Sequence, residues 1–260
     1  MLRNAQIFRN RTLMTPQTLA YSQPAPPPLP PLAGVIPVHL INLDRDTARL
    51  DAMSEQLDAL GLAFSRIRAV DDAQQSSLLT RGEAGCYASH LIAMRRVAAS
   101  GVPSLILEDD LEISADLPQI LRRLDRLPRG WDFLKLSQLG GHRSFPIGEI
   151  SPGRQIIDYH RVPWGAGAYV ITPAGATRFL RWKVARTVPV DRDMRHVWKH
   201  GLRVYGIEPA PIRQNIGASS IGYIPAGRVF PRHDAPLEAV TRVLQDVRWF
   251  CRSILKGNPQ

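Results

Sequence analysis

The sequence predicts an α/β protein with a mostly parallel sheet flanked by helices, and three features predict it. Short, nearly continuous apolar runs such as Val35 to Leu43 and Leu105 to Leu107 read as strands covered on both faces. Between them lie stretches whose apolar residues recur at three and four, the period of a helix resting on a sheet. One run, Pro103-Ser104-Leu105-Ile106-Leu107, ends at once in Glu108-Asp109-Asp110. A central strand hides aliphatic side chains but not three carboxylates. The acids therefore stand at the strand's exit, the place where open α/β sheets bind ligands.

The chain has 260 residues, 44% of them hydrophobic, which fits a soluble globular protein with one large core or two small ones. Its two cysteines, Cys86 and Cys251, provide no disulfide framework, and a reducing compartment is the expectation. Arg3, Arg9 and Arg11 precede no apolar h-region, and no apolar run approaches the roughly 18 residues of a membrane span, so the expected location is cytoplasmic. The formal charge of +10 invites a nucleic-acid reading. Four of the 33 basic residues are lysine and 29 are arginine, a skew that codon usage produces without function. No helix-turn-helix, zinc-ligand spacing or aromatic RNA-binding signature accompanies the charge, so no nucleic-acid partner is expected. An anionic membrane surface or a phosphorylated acceptor accounts for it equally well.

In chain order, residues 1–34 close in Pro24, Pro26, Pro27, Pro28, Pro30 and Pro31 and read as a disordered Pro-rich arm. A catalytic domain is expected over 35–232. Its first strand is Val35 to Leu43; Asp44 or Asp46 caps a helix through Leu50, Met53, Leu57 and Leu60, stopped by Gly61, and Phe64 to Val70 is a second strand. That β-α-β unit implies parallel pairing. Gly82 to Ala99 is a helix leading into the acidic strand. A further helix runs from Leu117 to Leu127, a strand from Trp131 to Leu139, and the Gly-, Pro- and charge-rich 140–162 reads as a long surface loop. Trp164 to Ile171 approaches and forms another strand, Pro173 to Trp182 a helix, Asp191 caps a helix containing Met194, Val197 and Trp198, and Leu202 to Ile207 is the last strand. A Pro-punctuated tail with Gln214, Asn215, Ser219 and Ser220 follows. Residues 233–260 form a basic amphipathic helix, with Val240, Val243, Leu244, Val247, Phe250 and Ile254 on one stripe and Arg242, Arg248, Arg252 and Lys256 elsewhere. Such a stripe either packs on the domain or docks on a membrane.

Side chains alternate along an extended chain, so Glu108 and Asp110 project to one side and Asp109 to the other. Two hard oxygen ligands suit Mg²⁺ or Mn²⁺ held jointly with substrate phosphates. The bland alternative is that the acids cap the next helix.

The segments INLDRDTAR (41–49), RAVDD (68–72), GEAGCYASH (82–90), LILEDD (105–110), GAGAYVITPAGA (165–176) and PVDRDM (189–194), in that order, resemble glycosyltransferase family 25, the lipooligosaccharide and collagen galactosyltransferase-like family. The resemblance implies a GT-A type fold and a metal-dependent, inverting transferase moving a hexose, galactose foremost, from a UDP-sugar to a cell-envelope saccharide that is expected to be lipid-linked. It implies Asp110 as direct ligand of Mn²⁺ or Mg²⁺. Glu108 is implied as a water-mediated ligand or ribose contact and stands with Asp191 among the catalytic candidates. Asp191 is the candidate base for the acceptor hydroxyl, its alternative being a helix cap. Asn42 and Arg45 are placed against the nucleotide, though Arg45 has Asp44 and Asp46 as ready partners. Glu83 and His90, two helical turns apart, share a face near the substrate, while Trp164 and Gly165 line a sugar pocket. The basic amphipathic stripe of 233–260, on a chain with no expected membrane span and an implied lipid-linked acceptor, suggests peripheral attachment to the inner face of the plasma membrane. A scaffold that kept the fold without turnover is the alternative from another class; the intact LILEDD opposes it.

Overall fold

The computed structural model describes residues 36–71, 73–74, 78–181, 187–215 and 235–255. The Pro-rich arm, Ser219, Ser220 and Lys256 lie outside them, as do the side chains of Arg248, Arg252 and Ile254. The chain opens with β1 (Val38–Asn42), α1 (Thr47–Ala59), β2 (Phe64–Arg68), α2 (Arg81–Ser100) and β3 (Ser104–Leu107). Every residue of β1 and of β3 is buried, as strands roofed on both faces must be. β1 pairs in parallel with β2 on one side and β3 on the other, which completes the expected β-α-β unit.

After the acids come a short β4 (Leu111–Ile113), α3 (Leu117–Leu121), one 3-10 turn (Leu124–Arg126) and β5 (Phe133–Lys135). The single helix expected from Leu117 to Leu127 is thus two short pieces, and the expected strand from Trp131 is trimmed to three residues. Next are β6 (Ser144–Ser151), β7 (Arg154–Tyr159), β8 (Ala168–Ile171), α4 (Pro173–Arg181), α5 (Val190–Arg195), α6 (Val197–His200), β9 (Val204–Glu208), β10 (Ile212–Gln214) and α7 (Ala235–Leu255). The main sheet has the order β2-β1-β3-β8-β5-β9-β7-β6, while β4 and β10 pair separately. Neighbours are parallel at β2-β1, β1-β3 and β5-β9 and antiparallel elsewhere, so six of the eight strands run one way and β7 and β8 oppose them.

The expectation of a surface loop over 140–162 is corrected: most of it is the β6-β7 hairpin at the sheet's edge. An edge strand tolerates Pro146 and two register shifts because one side of its ladder needs no partner. The expected cap at Asp191 moves too. Pro189 is the N-cap of α5, Asp191 lies within its first turn, and the helix expected to continue through Trp198 breaks at His196.

Alternation along β3 divides the core. Leu105 and Leu107 pack with Leu40 and Leu57 on the α1 side, and Ile106 packs with Tyr87, Tyr169 and Phe179 on the α2 and α4 side. Each fully buried side chain of this size contributes roughly 1.5–3 kcal/mol, so packing on both faces holds β3 in register and fixes its exit. On α7 the apolar stripe faces outward: Val240, Val243, Leu244, Val247 and Phe250 are 54–64% exposed. The helix meets the domain through other residues. Trp249 lies against Phe145 and His160, and Asp246 pairs with His160 at 2.6 Å.

Candidate active site

Helix α2 begins in a capping box. Thr80 Oγ1 accepts from the Glu83 N–H while the Glu83 carboxylate accepts from the Thr80 N–H. Such a cap is worth about 1 kcal/mol, and this carboxylate, expected near substrate, is engaged in starting the helix. Two turns on, the fully buried His90 places Nε2 2.9 Å from Glu108 Oε1 and Nδ1 2.9 Å from the Tyr169 hydroxyl. Burial, then the charge of Glu108, pushes the Tyr169 phenol well up, so it keeps its proton and donates to Nδ1. Nε2–H then donates to Glu108. His90 is therefore a link that aims Glu108.

The three acids part company at the end of β3. Glu108 turns toward α2, and its N–H donates to Gly167 O across the start of β8. Asp109 turns the other way and accepts from Asn42 Nδ2 at 2.7 Å and Arg49 at 3.2 Å. Asn42 also donates to Asp46 O and accepts from Arg66 Nε, so it braces the strand ends from behind. Asp110 accepts from Gln214 Nε2 at 3.1 Å through one oxygen. Its other oxygen, Oδ1, is buried with no hydrogen-bond partner among the described residues. Burial first, then Glu108, holds the Asp110 carboxyl above the usual range. Arg45, expected at the nucleotide, is half exposed and pairs with Asp71 on the surface.

Opposite the acids stands Asp191. Burial raises its pKa, while N–H groups of Arg192 and Gly165 and the charge of Lys135 oppose the rise. Asp191 is placed by its neighbour on α5, Asp193, whose buried carboxylate accepts from the Tyr87 hydroxyl of α2. Lys135, the last residue of β5, is buried, and burial brings its ammonium down to about 8 although Asp191 and Glu108 draw it up. It donates to Gly165 O. Gly165, at φ +95°, thus joins Lys135 to Asp191 through its two backbone groups, a conformation that disfavours any other residue. Trp164 is 42% exposed, with the Arg195 guanidinium 4.0 Å above its ring.

One end of the sheet therefore gathers Glu108, Asp110, His90, Asp191 and Gly165, with Trp164 on the rim, Asn42 behind, and Glu83 and Arg45 employed elsewhere. Lys135, Tyr169, Gln214 and Arg195 complete it and escape sequence reasoning. Lys135 had a signal, a lone lysine in an apolar strand of an arginine-rich chain; the others had none.

Cys86, His90 and Glu108 have ligand atoms within 4.8 Å of one another. As a metal site this trio fits poorly. Burial and the surrounding carboxylates keep the Cys86 thiol protonated, and both His90 nitrogens hold hydrogen bonds. A hard divalent cation is matched instead by Asp110 Oδ1, which has no hydrogen-bond partner among the described residues, together with Glu108.

Residues 35–144 match the family model described as glycosyltransferase family 25, an LPS biosynthesis protein family. Over those residues, fewer than half of the chain, it is similar to glycosyltransferase family 25. It is 23% identical to procollagen galactosyltransferase 1 of Danio rerio, over 66% of the chain and 31% of that protein. It is 30% identical to a glycosyltransferase 25 family member of Anopheles gambiae, over 59% and 30%. A probable inactive family member 3 of Rattus norvegicus is 25% identical, over 71% and 39%. The chain thus spans about a third of the length of these family 25 relatives. Among solved structures it is similar to a Drosophila β1,4-galactosyltransferase 7 mutant crystallised with manganese, UDP-Gal and xylobiose, with a TM-score of 0.43 and 12% identity over 77% of the chain and 79% of the other.

Proposed function

We propose that this chain is a metal-dependent hexosyltransferase that moves galactose from UDP-galactose to a hydroxyl of a cell-envelope saccharide with inversion. The observation that carries the reading is Asp110 Oδ1, a buried carboxylate oxygen without a hydrogen-bond partner among the described residues, beside Glu108 at the exit of the central strand. A divalent cation held by Asp110 and Glu108 stabilises the negative charge that develops on a departing diphosphate. The chain's own groups do the rest. His90 and Tyr169 hold Glu108 in one orientation. Asp191, raised by burial and fixed through Asp193, takes the acceptor proton as the hydroxyl oxygen attacks C1 of the sugar. Lys135 secures the turn at Gly165 that carries the rim residue Trp164.

Incubation of the full chain with UDP-galactose, with Mn²⁺ and with chelator, tests the reading. Release of UDP only with the metal is expected, and a chain that splits no UDP-sugar under any metal refutes it in favour of the scaffold reading.

The exposed stripe of α7 supports a second element, reversible attachment to an anionic membrane where a lipid-linked acceptor resides. Among the described residues no helix is long and apolar enough to cross a membrane. Co-sedimentation with phosphatidylserine vesicles should fall several-fold in a Leu244→Asp/Phe250→Asp variant. Equal sedimentation of the two proteins rejects the attachment.

A further inference from the structure

Next to the rim residue Trp164 lies a cavity of about 210 Å³ whose lining has an unusual charge. Arg161, Arg192, Arg195 and Arg242 all line it, from the approach to β8, from α5 and from α7, and no carboxylate is among its described lining residues, although Arg161 also pairs with Asp246 of α7 at 3.3 Å. Trp198 lines it too, and its buried indole N–H has no partner among the described residues. The guanidiniums press on one another: Arg195 is held below its usual range by burial and by repulsion from Arg192, Arg242 and Arg161, with only Asp191 drawing it the other way. Four like charges brought around one hollow invite a ligand of opposite sign, and guanidinium forks match phosphate oxygens two at a time.

We propose that this cavity binds a phosphate carried on the acceptor saccharide, a reading that rests on the transferase function given above. Its size separates it from the donor site. Sites for drug-sized ligands run from roughly 300 Å³ upward, so there is room for one sugar phosphate and not for a nucleotide sugar. Its position suits an acceptor. Arg192 and Arg195 stand on α5 with Asp191, and Arg195 covers the face of Trp164, whose neighbour Gly165 donates to Asp191. A phosphate held by the arginines leaves its sugar lying from the indole toward the base, which is how a binding group remote from the bond being made orients a hydroxyl.

The test is calorimetric titration of the full chain with glucose 6-phosphate, glucose, inorganic phosphate and UDP. Glucose 6-phosphate should bind well above glucose and inorganic phosphate, with an affinity that drops as salt rises. Arg161→Gln/Arg242→Gln should weaken it about tenfold or more, two charge-assisted bonds being lost, and Arg161→Lys/Arg242→Lys should recover part of it. Equal affinity for glucose and its phosphate overturns the proposal. So does equal affinity for glucose 6-phosphate and inorganic phosphate, or UDP binding that falls in the glutamine variant, since the cavity would then serve a bare anion or the donor. Hydrolysis of UDP-galactose is scored separately. A chain that binds the phosphosugar yet splits no nucleotide sugar refutes the transferase reading alone.

Discussion

The exit of β3 and the arginine cavity beside Trp164 are both accumulations of like charge, and the protein treats them in opposite ways. At the exit, carboxylates sit at strand ends whose register is set by core packing, and each has an internal partner on at least one oxygen: Glu108 has His90, Asp109 has Asn42 and Arg49, and Asp110 has Gln214. One buried atom, Asp110 Oδ1, is left over. In the cavity the charges stand on a loop and two helices and repel one another. The first arrangement defines a single point with great precision; the second offers a field.

The largest effect expected from disturbing this contrast is at the unpartnered oxygen. Asp110→Asn keeps the shape and removes the charge, so turnover should fall by about 10³-fold or more, mainly in kcat, in a protein that still folds. Asp109→Asn should do the reverse, keeping turnover within about tenfold while costing on the order of 1–2 kcal/mol of stability through its bonds to Asn42 and Arg49. Steady-state kinetics and urea unfolding of the two variants decide it. Interchangeable phenotypes would erase the distinction between the partnered and unpartnered acid.

Asp191 lies between the two regions, and its loss should be smaller. Asp191→Ala should reduce transfer about 10²-fold, with UDP-galactose affinity by calorimetry little changed. The sign of the pH dependence follows from burial. Because the folded carboxyl titrates above an ordinary aspartate, the acidic limb of kcat should lie above the usual carboxylate range, with activity lost as pH falls through it. An unchanged limb in a residually active Asp191→Ala would transfer the proton-accepting role elsewhere.

The smallest effect concerns Lys135, between Asp191 and Glu108. Its folded pKa of about 8 lies below the ordinary 10.5, so between those values the unfolded chain binds more protons than the folded one. Stability should therefore rise with pH, by about 2 kcal/mol from pH 8 to 10 at 1.36 kcal/mol per unit. Lys135→Met should flatten that rise in denaturant unfolding at the two pH values, and a wild-type curve that is already flat would show that the ammonium is not desolvated.

How much of this was legible in the sequence follows the same contrast between centre and edge. The β1-α1-β2 unit and the strand before the acids were readable because strands buried on both faces write themselves as apolar runs. The β6-β7 hairpin was not, since an edge strand carries Pro146, Gly148 and Glu149 without penalty and reads as loop. The signal present was Pro152-Gly153, the pair a tight turn favours, with Gly153 at φ +74°. Asp110, Glu108, His90 and Asp191 stand out in the sequence, and the fold brings them to one end of the sheet. Glu83 and Arg45 are engaged in a helix cap and a surface pair, roles that use the same letters as ligand binding. The arginine cavity was invisible, its four members being scattered from Arg161 to Arg242 among 29 arginines.

The reversed strand β8 has a further bearing on how such a protein can change. It sits between β3 and β5 and runs against both, so the chain that leaves the sheet at Lys135 comes back to it, at Ala168, on the same side from which it departed. Between those two points the chain runs out to the sheet's far edge as the β6-β7 hairpin before it returns through Trp164 and Gly165. Lengthening or shortening the β6-β7 turn leaves the pairing of β3, β8 and β5 in register. A lineage can exchange its outer wall while the inner one stays in register, and chains of this type that serve different acceptors should differ in length here before they differ anywhere in β1, β3 or β8.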